Sequence, residues 1–448
     1  MSSDQRPPTS LVKSGEVSGS STLVPSEVEG RRLGQGRGWT LFALLCVAGI
    51  FNAMDRPVIA ILKPDMSAEL GWTDAEFGRL AFYTQLSAAA SFLFTGWLID
   101  RLGVRRSMIA GVSAWSVAAM AHGWAISAWQ VVAARIGLGA TEAMQTPLTI
   151  KMVATLFAAE RRSLALGINT AIASIGTISL PFFIPVLAAS VGWRGALLLA
   201  GIGGFVTLAA WLAVARGVRF DDSAEDPELD FSDDGKPYGP ILSERRTWAI
   251  VIAKALSDST FWLLTFWLPD FYRRTYELTT GQLAVPLALA FAGSALGGLA
   301  AGAISSRLIA KGWPVAKVRK TVMVVSALVV TPVPFVLQLD SFWTVAVMMG
   351  VVLAGHQGFS LSIFATITDV VPRAKVGRVT AFGAFCGNVA GGLLVWVVGT
   401  ALTAGYGYAP FFIFAAVSYL LAIAWLRLLM PRADSSLRHS RETGNPQR

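Results

Sequence analysis

The sequence predicts an all-α integral membrane protein, with twelve transmembrane helices arranged as two pseudo-symmetric six-helix bundles. Three observations carry that prediction. Apolar residues make up 54% of the 448 and charged residues only 15%, at a mean hydropathy of +0.56, which is more apolar surface than a soluble fold of this size hides. The apolar residues fall in runs of roughly 20, each broken by Gly, Pro or charge, the length that crosses a bilayer as a helix. The runs come as six, then an acidic stretch, then six more.

Residues 1–37 are rich in Ser, Gly, Pro and charge without apolar periodicity, and are expected to form a disordered tail. The first apolar run, 39–62, is too long for a signal-peptide core and lacks a small-residue cleavage site, so it is expected to stay as span 1. Runs at 78–98, 107–122, 129–156, 164–188 and 193–215 complete a first bundle over 38–216. The chemistry then changes. Between Arg216 and Arg246 stand Asp221, Asp222, Glu225, Asp226, Glu228, Asp230, Asp233 and Asp234 with hardly an aliphatic cluster, marking 217–247 as an aqueous, acidic linker. Runs at 248–269, 283–305, 320–339, 342–365, 376–402 and 408–430 form the second bundle, 248–430, followed by a polar basic tail, 431–448.

Alternate loops are basic. Arg101, Arg105 and Arg106 follow span 2, Arg161 and Arg162 follow span 4, Arg245 and Arg246 close the linker, and Arg307, Lys311, Lys317, Arg319 and Lys320 join spans 8 and 9. Arg373, Lys375 and Arg378 precede span 11, while Arg273 and Arg274 after span 7 are the main exception. By the positive-inside rule both termini and the linker are expected in the cytoplasm, in a multi-pass protein of the cell (inner or plasma) membrane. The net charge of +9 is thereby explained by topology, not by nucleic acid, because the basic residues sit in short clusters between apolar runs. A weak internal repeat supports duplication: Gly96-Trp-Leu-Ile-Asp-Arg-Leu102 matches Gly302-Ala-Ile-Ser-Ser-Arg-Leu308, and Arg105-Arg-Ser-Met108 matches Arg319-Lys-Thr-Val322.

Charge inside the spans is costly and marks function or pairing. Phe51-Asn-Ala-Met-Asp-Arg-Pro57 puts Asn52, Asp55 and Arg56 inside span 1, and span 4 carries Arg135 and Glu142, seven residues apart and so on nearly one helix face. Asp55 is expected to pair with Arg135, leaving Arg56 to meet an anion, since a planar guanidinium suits a carboxylate. A carboxylate in a partly dehydrated cavity answers both to desolvation and to a nearby guanidinium, so its protonation can respond to an arriving anion. Lys254 and Asp258, four apart on span 7, suggest an internal ion pair, and His356 a packed histidine. Cys46 and Cys386 lie in apolar runs and imply no disulfide framework or metal site. The sequence holds no nucleophile elbow, metal-spaced His cluster or phosphate loop, so neither an enzyme nor a cofactor is expected.

The stretch Gly96-Trp-Leu-Ile-Asp-Arg-Leu-Gly-Val-Arg-Arg106 resembles the loop motif of the major facilitator superfamily. The resemblance implies that fold, with Gly96, Asp100, Arg101, Gly103 and Arg105 as a conformational latch in which Asp100 faces the positive end of a helix of the opposite half. Within the superfamily the chain is most similar to anion:cation symporters of the hexuronate and galactonate type. Asn52-Ala-Met-Asp-Arg56, Leu62-Lys-Pro64, Glu69-Leu-Gly-Trp72, Arg135-Ile-Gly-Leu-Gly-Ala-Thr-Glu142, Ile150-Lys-Met-Val153, Phe266-Trp-Leu-Pro-Asp-Phe271, Ala354-Gly-His-Gln-Gly358 and Gly387-Asn-Val-Ala-Gly391 carry the likeness.

What this implies is a monomeric, proton-coupled carrier importing an organic carboxylate by alternating access, with small organic anion, protons and lipid bilayer as its partners. Asp55 and Glu142 couple protons in this reading, and Arg56, Arg135, Asn52, Gln357 and Asn388 bind substrate. The chain departs from the family at Ala53, where a Tyr is usual, and at Ala88 and Ala173, where a Tyr and a Gln are expected. If all three line the cavity, hydroxyl-reading groups are lost and a less hydroxylated acid, aromatic or lactone-type, competes with a sugar acid as substrate. An efflux carrier would share the loop motif, and a transporter-like solute sensor would usually add a soluble domain.

Overall fold

A computed structural model describes residues 35–157, 159–218, 220 and 239–430; the tails at 1–34 and 431–448 and most of the acidic linker lie outside the described residues. The described residues form helices α1 (Gln35–Leu70), α2 (Asp74–Phe92), α3 (Thr95–Gly123), α4 (Ala128–Glu142), α5 (Gln145–Leu156), α6 (Ala159–Val214) and the short α7 (Gly239–Leu242). After these come α8 (Arg245–Tyr276), α9 (Ala284–Ala310), α10 (Val315–Val330), a 3-10 turn (Val333–Gln338), α11 (Phe342–Val370), α12 (Arg373–Thr403) and α13 (Ala409–Leu429). Among the described residues, eight stretches are long and apolar enough to cross a membrane.

Local breaks turn these helices into twelve crossings. Within α3 the backbone at Gly103 has φ 76° and ψ 166°, ending span 2 and starting span 3. Gly192, at φ 71°, likewise divides α6 into spans 5 and 6. Span 2 begins at α2 with a capping box in which Thr73 and Glu76 satisfy one another's backbone N–H, and continues past a short break into α3. Span 4 is α4 followed by α5, and span 9 is α10 with the 3-10 turn. Span 1 runs beyond the expected end at residue 62 to Leu70, with Pro57 and Pro64 inside it.

The duplication shows in the turns. Positive φ recurs in equivalent connections of the two halves: Gly71 and Glu277 after spans 1 and 7, Gly103 and Gly312 after spans 2 and 8, and Gly192 and Gly405 after spans 5 and 11. Side chains with a Cβ rarely adopt this conformation, so glycine holds five of the six positions. Exposed Trp124, Trp129 and Trp343 ring the end away from the chain termini, and exposed Trp97, Trp248 and Trp313 ring the end that carries them, as aromatic belts do at the two faces of a bilayer.

The halves are joined at one end. A continuous apolar core links Val58–Leu62, Met66, Phe77, Leu80, Leu180 and Ile184 of the first half with Leu263, Phe266, Trp267, Leu287 and Val395 of the second. These residues belong to the end away from the termini. Toward the terminal end the first half has a separate core around Leu41, Leu45, Val104, Met152 and Trp211. Gly78 lets span 2 approach the span 11 backbone, since a Cβ there would sit 2.9 Å from Val395 O, and Phe82 stacks on Trp396 at 5.4 Å. Cross-half contacts between Lys63 and Asp270, Asp74 and Arg274, Ala75 and Thr403, Gln85 and Asn388, and Ile61 and Arg273 lie from mid-depth to this distal end.

Candidate functional site

Spans 1 and 4 meet through matched faces. Gly49, Asn52 and Arg56 recur at i, i+3 and i+7 on α1, and Glu142, Gln145 and Thr149 do so across the junction of α4 and α5, so each set shares a helix face. Arg56 Nε donates to Glu142 Oε2 at 2.9 Å, with Glu142 almost wholly buried and Arg56 partly accessible. One turn along, Asn52 Nδ2 donates to the Glu142 carbonyl at 3.4 Å. From the second half, the Trp262 ring lies 5.1 Å from the Arg56 guanidinium carbon.

Arg135 is buried in the same region, and its Nη1 donates to the backbone carbonyl of Asp55 at 2.8 Å. This corrects the expected pairing of Asp55 with Arg135 and a free Arg56. Neighbouring residues diverge by about 100° on a helix, so Asp55 and Arg56 cannot both face span 4. Arg56 takes that direction, and the Asp55 main chain, not its carboxylate, meets Arg135. Three polar atoms at the centre stay buried without a partner: Arg135 Nε, Arg135 Nη2 and Glu142 Oε1. Buried polar atoms in native proteins are generally bonded, and these three are left over at a mid-span charge cluster.

The remaining predicted residues are spread. Asn388 is buried, donates to Ala384 O at 2.8 Å and accepts from Gln85 Nε2 at 3.1 Å, tying span 11 to span 2 across the halves. Gln357 accepts from Ser294 Oγ at 3.4 Å within the second half. Lys254 Nζ and Asp258 Oδ2 are 2.7 Å apart. His356 Nδ1 is bonded to Tyr419 Oη at 2.7 Å and its ring stacks on Phe261, a packed histidine. Ala53 and Ala173 are half-buried, but Ala88 is fully buried at 0% exposure. The condition that all three alanines line one cavity therefore fails at Ala88.

At the terminal end Asp100 Oδ1 pairs with Lys151 Nζ at 2.9 Å, inside its own half. Its partner is therefore on span 4 of its own half, where the expectation placed a helix end of the opposite half; the terminal ends of the two halves do not share an apolar core. Arg101 lies over the Trp97 ring at 5.7 Å, Arg105 is exposed, Gly96 is half-buried and Gly103 supplies the turn.

The distal end holds a cluster that sequence reading did not assemble. Lys63 Nζ contacts Asp74 Oδ1 at 2.6 Å and Asp270 Oδ1 at 2.5 Å, while Arg274 contacts Asp74 Oδ2 at 2.6 Å and Asp270 Oδ2 at 2.5 Å. Four charges thus form a closed square, two corners on each half. Tyr408 Oη donates to Asp270 Oδ2 at 2.6 Å, and Lys63 also lies 4.4 Å from the Trp267 ring. A vestibule of about 500 Å³ opens above the square, lined by Trp72, Thr73, Leu402 and Thr403 among others. Lys63 and Asp270 entered the sequence reading only inside two separate family-like stretches, 207 residues apart.

Two helical halves joined at one end, with charge at mid-depth, form a carrier-like architecture, and comparison with known proteins agrees. The sequence profile of the Major Facilitator Superfamily matches residues 45–393. The chain belongs to this superfamily. It is 23% identical over 419 residues to the D-galactonate transporter of Escherichia coli O6:H1, covering 88% of this chain and 96% of that protein. It is 25% identical over 410 residues to the hexuronate transporter of Escherichia coli K12, covering 86% and 92%. Among solved structures, a bacterial homologue of the human lysosomal transporter Spinster, described as inward-facing and unoccupied, shares the fold at a TM-score of 0.66 and 16% identity, covering 88% of this chain and 96% of that one.

Proposed function

We propose that the chain is a proton-coupled importer of an organic carboxylate, working by alternating access. The observation that carries this reading is the Arg56–Glu142 pair beside the unfilled Arg135 Nε and Nη2. Two guanidinium groups in a desolvated site offer an incoming carboxylate more donors than the protein uses, and planar donors suit that anion. A carboxylate that takes Arg56 displaces Glu142, which then holds a proton in place of its cation. Substrate and proton thus enter together. Asp55, beside the same two arginines, is the second proton carrier, and Asn52, Gln357 and Asn388 bind the remainder of the substrate. The sugar acids named for the galactonate and hexuronate transporters are support for the carboxylate class.

In this reading the termini and linker are cytoplasmic, the chain is a monomer in the cell membrane, and the joined end faces outward. The charge square is the lock of the outer gate: opening breaks Lys63–Asp270 and Asp74–Arg274 but leaves Lys63–Asp74 and Arg274–Asp270, two neutral pairs each within one half. The gate therefore opens without stranding a buried charge, which would be costly. Gly96, Asp100, Arg101, Gly103 and Arg105 act as the inner latch, engaged when the terminal ends close. Radiolabelled uptake of a carboxylate panel into proteoliposomes tests the reading: a proton gradient, acidic outside, is expected to drive accumulation, and uptake driven by sodium alone at constant pH would refute the coupling.

A further inference from the structure

Below the charge pair lies an amide that packing alone does not explain. Gln145 is only 8% exposed, its Nε2 donates weakly to Thr149 Oγ1 at 3.4 Å, and its Oε1 is buried without a partner. It faces a glycine at mid-depth on span 1: a Cβ on Gly49 would stand 3.1 Å from Gln145 Nε2 and 3.8 Å from Asn169 Oδ1. Asn52, half-buried, lies one turn from Gly49 on the same face. Three spans thus bring amides together on the terminal side of Arg56. A buried carbonyl with no donor is costly, and an interior amide kept only for packing would have both ends satisfied.

We propose that Gln145, with Asn169 and Asn52, is a specificity-determining subsite that receives a hydrogen-bond donor on the far end of the carboxylate substrate. The proposal rests on the carboxylate reading above and deepens it. With the carboxylate on the arginines, the Arg56-to-Asn52 step of about one turn and the Arg56-to-Gly49 step of about two turns place the amides about 6 to 10 Å away, the reach of a six-carbon acid. Gly49 lets span 1 come close to the Gln145 amide without a side chain pressing on it. Hydroxyl reading lost at Ala53 and Ala173 is supplied here from a different direction, so the favoured acid carries hydroxyl or N–H groups at its far end.

The test measures binding of galactonate and of hexanoate, its hydroxyl-free six-carbon counterpart, by ligand-induced thermal stabilisation of the full-length purified protein. The wild type is expected to prefer galactonate by about tenfold or more, the value of one well-made hydrogen bond to a group otherwise left unpaired. Gln145→Leu should bring the ratio close to one with hexanoate binding unchanged. Gly49→Ala, which favours the helix but presses on the amide, should move it the same way. The subsite is overturned if the preference survives both substitutions, if both acids weaken alike, or if hexanoate binds the wild type as well as galactonate does. Binding of neither acid would overturn the carboxylate reading itself, a result distinct from hexanoate binding alone.

Discussion

Reversing one side of the charge square isolates the outer gate from everything else. Lys63→Asp with Asp74→Lys keeps the within-half pair and the net charge, but sets a carboxylate at position 63 against Asp270 and an ammonium at position 74 against Arg274. The Lys63–Asp270 contact joins side chains only 5% and 9% exposed, where a charge pair at about 4 Å and an effective dielectric near 20 interacts by ~4 kcal/mol. Asp74–Arg274, with Arg274 at 45% exposure, is screened and contributes about 1 kcal/mol. Losing these attractions shifts the equilibrium between outer-closed and outer-open forms by on the order of 5 kcal/mol, enough to turn a 99:1 population over. Spin labels at Ile126→Cys and Tyr406→Cys, exposed distal positions on opposite halves, in a background with Cys46 and Cys386 replaced by Ala, report the separation. The distance distribution should move to longer values. Adding Asp270→Lys and Arg274→Asp restores opposite charges across the gap and should return it. An unchanged distribution in the double variant, or no recovery in the fourfold one, would refute the square as a lock.

Other substitutions separate coupling, latch and fold. Asp55→Asn and Glu142→Gln keep shape and remove the titratable group, so each should impair proton-driven uptake far more than counterflow exchange; equal uptake in both would reduce these acids to structural roles. Asp100→Asn removes an exposed partner of Lys151 at the terminal end and should lower turnover without reordering the substrate panel, measured by uptake competition. Gly103→Ala forces a side chain into φ 76°, ψ 166°, and should cost about 1 to 3 kcal/mol, read as a lower unfolding temperature in detergent.

The fold was legible because a bilayer demands long apolar helices and basic loops, and both are properties of local composition. Span boundaries were less so. Span 1 continues past residue 62 to Leu70 because a helix need not stop where the membrane does, whereas the turns at Gly103 and Gly192 fall in the gaps expected between the runs ending at 98 and 188 and those starting at 107 and 193. At the site, Asp55, Arg56, Arg135 and Glu142 stood out as charges in apolar surroundings. Their pairing did not, because Asp55 and Arg56 are adjacent and rotation of span 1 alone decides which one meets Glu142. Gln85, Trp262 and Gln145 were missed: lone amides and a tryptophan in apolar runs resemble packing until a partner on another span is seen. Lys63 and Asp270 needed the tertiary fold to become a square.

The central claim is that proton and carboxylate move together and carry net positive charge inward. Current across a solid-supported membrane loaded with the purified protein tests it directly. A jump in carboxylate concentration at symmetric pH should give an inward positive current, as expected for one anion with at least two protons, and each such charge gains about 2.3 kcal/mol per 100 mV of membrane potential. The current should disappear in Glu142→Gln. A current that persists in that variant, or one of negative sign in the wild type, would contradict the account.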